Sequence, residues 1–219
     1  MNSVQMSQLA TYPTTAISDA LDSLGIDGGC KGLYQVTPGV SCAGIAFTVQ
    51  FKLVDPDEKG LAADYIDNVP TGAVIVLNND GRTDCTVWGD ILTIFAQERG
   101  IAGTIINGCC RDIASIRNFN YPVFALGTYM KSGKNRVRMV AQEVPVVIGN
   151  TTVRPGDLLV GDDDGVVSVP RESLDEVADI TAKVVAMERE VIDAVRKGIT
   201  LAEARLIYGY HGYSWRKKQ

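Results

Sequence analysis

The segment "WGDILTIFAQERGIAGTIINGCCRDIASI", Trp88 to Ile116, carries a Gly-Asp near one end and an Arg-Asp near the other, with twenty residues between the two pairs. "ILTIFAQE" reads as a helix, with Asp90 as its N-cap and Gly100 beyond its end. "GTIIN" reads as a strand that crosses the core and emerges at Gly108, and Arg111 and Asp112 open the next short helix. One helix followed by one strand returns the chain to its sheet, so the two turning points can share an edge. Ligand sites of α/β folds collect at such strand ends.

Each pair alone has an ordinary reading. Asp90 can simply cap its helix, and Arg111-Asp112 can be a surface charge pair with Asp112 as a second cap. Together they assemble chemistry. The helix N–H groups at Ile91 and Leu92 lack intrahelical partners and suit a substrate carboxylate. Gly89 leaves room for a ligand against the backbone. Asp90 and Asp112 can hold a divalent cation, and the Arg111 guanidinium can stabilise an oxyanion.

Upstream, Thr14 or Thr15 can cap a helix running to about Leu24, with Gly25 as its stop. "AFTVQFKLV" alternates, with Phe47, Val49, Phe51 and Leu53 on one face and Thr48, Gln50 and Lys52 on the other, as in a strand with one buried face. "AVIVLNNDG" predicts a buried strand, Ala73 to Leu77, ending in a polar turn. Downstream, "PVFAL" is another strand. "VPVVIGNTTVRPGDLLVGDDDGVVSVP" reads as a β-meander with turns at Gly149-Asn150, Pro155-Gly156-Asp157 and Asp164-Gly165. A long helix follows from about Glu172 to Lys197, with Leu174, Val177, Ile180, Val184, Met187, Val191 and Val195 as its stripe. Gly198 ends it, and "TLAEARLIY" gives a last short helix. Alternating helices and strands followed by a run of strands predict one mixed α/β domain over residues 1–219, with the C-terminal helices beginning near 172.

The bulk numbers narrow the function classes. At 219 residues, nearly half hydrophobic and about a fifth charged, the chain matches an ordinary soluble domain. A net charge of −5 leaves no extensive basic face for nucleic acid. No apolar run is long enough to span a bilayer, and "MNSVQMSQLATYPTT" lacks the blocks of a signal peptide. The expected location is the cytoplasm. The five cysteines, Cys30, Cys42, Cys85, Cys109 and Cys110, follow no zinc spacing and read as free thiols. With His211 as the one histidine, a metal here would take oxygen ligands, which points to Mg²⁺ or Mn²⁺. "GDDDGVVSVP" lacks the alternating ligands and distant Glu of an EF-hand and reads as a turn between strands. The tail "YGYHGYSWRKKQ" mixes aromatic and basic residues and reads as a loosely packed terminus.

"WGDIL…NGCCRD" resembles the G-D-x20-R-D signature of the class II pyruvate aldolases typified by 4-hydroxy-4-methyl-2-oxoglutarate/4-carboxy-4-hydroxy-2-oxoadipate aldolase. That family shares a fold with the regulator of RNase E activity A. "TTAISDALDSLG", "GIAFTV", "PVFALG", the strand run from Val144 and "MEREVIDAVRKG" also look like family segments, in family order. The resemblance implies a single-domain αββα sandwich with mixed sheets, of the RraA-like swivelling β/β/α type, assembled as a homotrimer or hexamer.

It also implies roles. Asp112 would bind the divalent metal, and Asp90 would hold metal-bound water. Arg111 would contact the pyruvyl carbonyl and enolate oxygens, and the Ile91 and Leu92 amides would grip the pyruvate carboxylate. Glu188 on the long helix would approach the metal waters of a neighbouring subunit, with Glu190 a second match. From its position alone, Glu188 also fits a solvated flank residue beside Lys183 or Arg189. The "NNDG" loop, Asn78 to Gly81, would wall the pocket. The implied reaction is metal-dependent cleavage of 4-hydroxy-2-oxo acids to pyruvate through an enolate, with oxaloacetate decarboxylation as a companion activity and no Schiff-base lysine. The rival class is a non-catalytic regulator that binds RNase E. That subgroup typically lacks the aspartate after the arginine, so Asp112 favours an enzyme. A methyltransferase reading lacks a glycine-rich nucleotide loop after a first strand.

Overall fold

In chain order the elements are α1 (Ser3–Leu9), α2 (Thr14–Ser23), β1 (Tyr34–Gln35), β2 (Cys42–Leu53), β3 (Val74–Thr86), α3 (Asp90–Glu98), β4 (Gly103–Cys110), α4 (Ile113–Asn118), β5 (Val123–Thr128), β6 (Val137–Gln142), β7 (Val146–Ile148), β8 (Thr151–Val153), β9 (Leu158–Asp162), β10 (Gly165–Val169), α5 (Leu174–Arg196) and α6 (Leu201–Ile207). The structure is a computed structural model that describes residues 3–54 and 64–210. The strand order is β1-β5-β4-β3-β2-β9-β10, with β6 also paired to β2. The pairs β2–β3, β3–β4 and β4–β5 are parallel. Parallel neighbours need crossovers, and α3 and α4 supply the last two.

Period-two alternation in the strands builds the layers. Ile75 and Leu77 of β3 face one core with Trp88, with Ala96 of α3 and with Ile116 of α4. Val74 and Val76 of the same strand face a second core with Leu159, Val166 and the hairpin residues Val146, Ile148 and Val153. Leu158, Val160, Val167 and Val169 turn away from that core and pack against α2 and α5. The result is helices, sheet, sheet, helices: the expected αββα arrangement with mixed pairing. Strand β2 joins the two sheets, because Cys42–Ile45 pair with β9 while Ala46–Gln50 pair with β3. The sheets come close enough that a Cβ at Gly161 would lie 2.7 Å from the Phe124 ring.

Several local expectations are corrected. Helix α2 is preceded by Pro13 and has no side-chain cap. Thr14 instead donates its N–H and hydroxyl to the Asp162 carboxylate, at 2.8 and 2.6 Å, tying α2 to β9. "NNDG" does not end β3. Asp80 and Gly81 adopt left-handed backbone, with φ of 51° and 68°, and pairing with β4 resumes at Arg82 and Thr86 after register shifts. An amide network holds this bulge, with the Asp80 N–H donating to Asn78 Oδ1 at 3.0 Å and Asn107 Nδ2 donating to the same oxygen at 2.8 Å. The expected meander is two hairpins: β7–β8 pair alone, whereas β9–β10 extend the main sheet. Leu53 is exposed at the end of β2, and Val195 is exposed near the end of α5. Among the described residues no helix is long and apolar enough to cross a membrane. His211 and the rest of the tail lie outside the described residues.

Candidate active site

The two turning points of the opening segment meet. The Arg111 N–H donates to the Trp88 carbonyl at 3.1 Å, and Thr86 of β3 is in register with Cys109 of β4. Trp88 is buried, stacks on Tyr121 at 6.1 Å, and donates its indole N–H to Thr93 Oγ1 of α3 at 2.9 Å. Core packing therefore holds the α3 N-terminus beside the end of β4. The N-cap of α3 is Gly89, not Asp90. Asp90 is the first helical residue, and its Oδ1 accepts the Ile91 N–H at 2.8 Å. Of the two amides expected to take a carboxylate, Ile91's is engaged by Asp90, while Leu92's has no partner among the described residues.

Asp112 adopts a left-handed conformation, φ 60°, a region that Asp tolerates better than most residues. Its Oδ2 accepts the Asp90 N–H at 3.2 Å and lies 3.4 Å from Arg111 Nε. A Cβ at residue 89 would sit 2.6 Å from this oxygen. The room left by the glycine is thus filled by a carboxylate and a guanidinium. Both side chains are more than a third exposed or close to it, 39% for Arg111 and 34% for Asp112, so the pair is weak as a structural bond and open to a ligand. No group of three or more His, Cys, Asp or Glu able to hold a metal occurs among the described residues. Asp112 Oδ1 and Asp90 Oδ2 have no hydrogen-bond partner there, and both are hard oxygen donors. This set fits Mg²⁺ or Mn²⁺ held by one direct carboxylate and waters, since Mg²⁺ in particular keeps several waters.

Arg111 stands between two clefts. One, of about 220 Å³, is lined by Gly89, Asp90, Ile91, Leu92 and Arg111, with Phe51, Val87, Trp88 and Val137 as apolar wall. The other holds Asp112 with Thr128, Tyr129 and Met130. The first cleft also takes Ser132, Gly133 and Lys134, which sequence reasoning passes over. Nothing in their spacing marks them. Only the pairing of this loop with Thr86 brings them to the site, through Gly133 N–H to Thr86 O at 2.8 Å and Thr86 N–H to Lys131 O at 3.0 Å.

A family model described as RraA-like, Aldolase/RraA, matches residues 14–168, which contain this whole site. The chain belongs to the Aldolase/RraA family. It is 42% identical over 209 residues to protein DlpA of Legionella pneumophila, covering 94% of this chain and 34% of that protein. The chain thus spans about a third of DlpA's length. It is 35% identical to a Halalkalibacterium halodurans protein carrying the name "Putative 4-hydroxy-4-methyl-2-oxoglutarate aldolase", over 76% of each chain. Among solved structures, it matches one called an uncharacterized protein from Pseudomonas syringae pv. tomato with a TM-score of 0.90 and 48% identity, over 95% of both chains.

Two further features of this Aldolase/RraA chain bear on the site. Glu188 is half-buried on α5, in the opposite helical layer from Asp112, and Glu190 is exposed. Glu188 lies near Asp19 of α2, whose carboxyl is pushed up by burial first, then by Glu188 and Asp22. Within one subunit the fold does not bring Glu188 to Asp90 and Asp112. The five cysteines are free and buried. Burial pushes the Cys30, Cys42 and Cys110 thiols up to about 12, and burial also raises Cys109. Thiols so shifted are poor nucleophiles near neutral pH.

Proposed function

We propose that the protein is a divalent-metal-dependent lyase that releases pyruvate from 4-hydroxy-2-oxo acids of the 4-hydroxy-4-methyl-2-oxoglutarate or 4-carboxy-4-hydroxy-2-oxoadipate type, and from oxaloacetate. The observation that carries this reading is the shared oxygen of Asp112, in contact with both the Asp90 N–H and Arg111 Nε beside a small cleft. The relative named as an aldolase supports it. A cleft of about 220 Å³ is below the roughly 300–1,000 Å³ of drug-sized sites and suits a small acid.

The chemistry follows from charge. The Leu92 N–H and the α3 dipole attract the substrate's 1-carboxylate. Arg111 faces the 2-oxo oxygen, where negative charge grows as the C3–C4 bond breaks and its electron pair forms the pyruvate enolate. Asp112 would hold a Mg²⁺ or Mn²⁺ ion, which when bound would supply Lewis acidity at the reacting 2-oxo group. Asp90 positions a water that accepts the 4-hydroxyl proton and returns a proton to C3. With oxaloacetate the leaving fragment is carbon dioxide and the same enolate is protonated. The assembly we propose is a cytoplasmic homotrimer or hexamer, in which Glu188 of a neighbouring copy would help hold the cation through water.

The test is pyruvate release from oxaloacetate and from 4-hydroxy-4-methyl-2-oxoglutarate with Mg²⁺, with Mn²⁺ and after chelation, using Asp112→Ala as the control. Release that requires metal and Asp112 is expected. Absence of pyruvate from both substrates with either metal would reject the lyase and favour the non-catalytic RNase E-type regulator.

A further inference from the structure

We propose that Lys134 reads a second, distal carboxylate of the substrate, so that the cleft selects dianionic 2-oxo acids over monoanionic ones. This rests on the lyase reading above. The charged groups lining the cleft are Asp90, Arg111 and Lys134. Arg111 and the α3 N-terminus already serve the pyruvyl end. Lys134 is a second cation, supplied by a different segment of chain, and its ammonium has no ion pair among the described residues. Between the polar groups, Phe51, Val87 and Val137 offer apolar wall that suits the middle of a short carbon chain.

The position of Lys134 is built, although its side chain is exposed. The Lys134 N–H donates to Ser132 Oγ at 3.1 Å, and Arg136 Nη1 donates to the Ser132 carbonyl at 3.0 Å. Gly133 packs so closely that a Cβ there would lie 2.5 Å from the Thr86 carbonyl and 2.9 Å from Val137 Cγ2. The loop is therefore clamped to the end of β3, two residues before Trp88. Lys131, on the same loop, does not line the cleft and lies 6.0 Å over the Tyr129 ring. Lys134, by contrast, lines the cleft.

The experiment is calorimetric binding of 2-oxoglutarate and 2-oxopentanoate with saturating Mg²⁺. These probes carry a carboxylate or a methyl at the same distal position. The parent is expected to prefer 2-oxoglutarate. Lys134→Gln should reduce that preference about tenfold, as expected for losing one charged contact in a partly exposed site. Lys134→Arg should restore most of it, and Lys131→Gln should keep it. Melting temperatures of all variants verify folding. No preference in the parent, no binding of either acid, equal loss of both acids in Lys134→Gln, or the same loss in Lys131→Gln would each overturn the assignment. Pyruvate release is measured in parallel. A preference that depends on Lys134 in a protein releasing no pyruvate would reject the lyase and keep the subsite, so the two failures are distinguishable.

Discussion

At Gly89 a single methyl group would change the site. The Cβ of Gly89→Ala would fall 2.6 Å from Asp112 Oδ2 and 3.3 Å from Arg111 Nε, so one of them must move. Displacing a neighbour that orients a metal ligand typically weakens metal binding by about ten- to a hundredfold. Mn²⁺ affinity of Gly89→Ala is expected to fall on the order of tenfold while far-ultraviolet circular dichroism stays native. Parent-like affinity would show that Asp112 need not occupy this position. Arg111 poses a different question, because charge and shape can be separated. Arg111→Lys keeps the cation but loses the planar fork. Turnover at saturating Mn²⁺ should fall roughly a hundredfold, the usual consequence of losing one oxyanion contact. An unchanged turnover number would remove Arg111 from the chemistry.

At the scale of elements, α2 and α5 pack face to face with Asp19 and Glu188 near each other. Burial, then Glu188, then Asp22 raise the Asp19 carboxyl above its ordinary 3.8. The folded state therefore binds this proton more tightly than the unfolded state. That contribution to stability is fully present below 3.8 and is lost as pH rises through the raised value. Asp19→Asn should melt higher than the parent at pH 7, and the gain should shrink toward zero as pH falls toward 4. A gain that is the same at both pH values would mean that ionisation of Asp19 is not its source. On the other side of the molecule, α3 and β4 matter for a different reason. Trp88 fills the core beneath them, and its carbonyl receives the Arg111 N–H, so packing and site geometry are set by one residue.

The whole molecule separates Glu188 from Asp112 by two sheets, since α5 covers β9–β10 while Asp112 stands at the start of α4 on the far layer. A site using both therefore needs two copies. Asp112→Ala and Glu188→Ala are each expected to be inactive alone. After subunit exchange, mixed oligomers should regain activity wherever an intact Asp112 meets an intact Glu188. Native mass spectrometry verifies the mixing. No regain in verified mixed oligomers would leave Glu188 as a solvated helix residue beside Asp19.

The sequence by itself determined that β2 buries Phe47, Val49 and Phe51, that β3 begins as a buried strand, the stop of α2 at Gly25, the long α5, and the coming together of Gly89-Asp90 with Arg111-Asp112. All of these depend on local periodicity or on one short helix–strand excursion, and such signals survive without tertiary information. Only the tertiary structure decided the rest. Gly89 rather than Asp90 holds the cap position of α3, and the carboxylate of Asp112, more than twenty residues on, accepts the Asp90 N–H. Asn78 to Gly81 became a bulge inside β3 because Asn107, from the next strand, completes its hydrogen bonds. The late strands form two hairpins, of which β9–β10 joins the main sheet through the first residues of β2 while β7–β8 pair with each other. Lys134 reached the cleft through a backbone pairing with Thr86, nearly fifty residues earlier in the chain. These outcomes rest on contacts between residues far apart in sequence, where no periodicity records which partner will win.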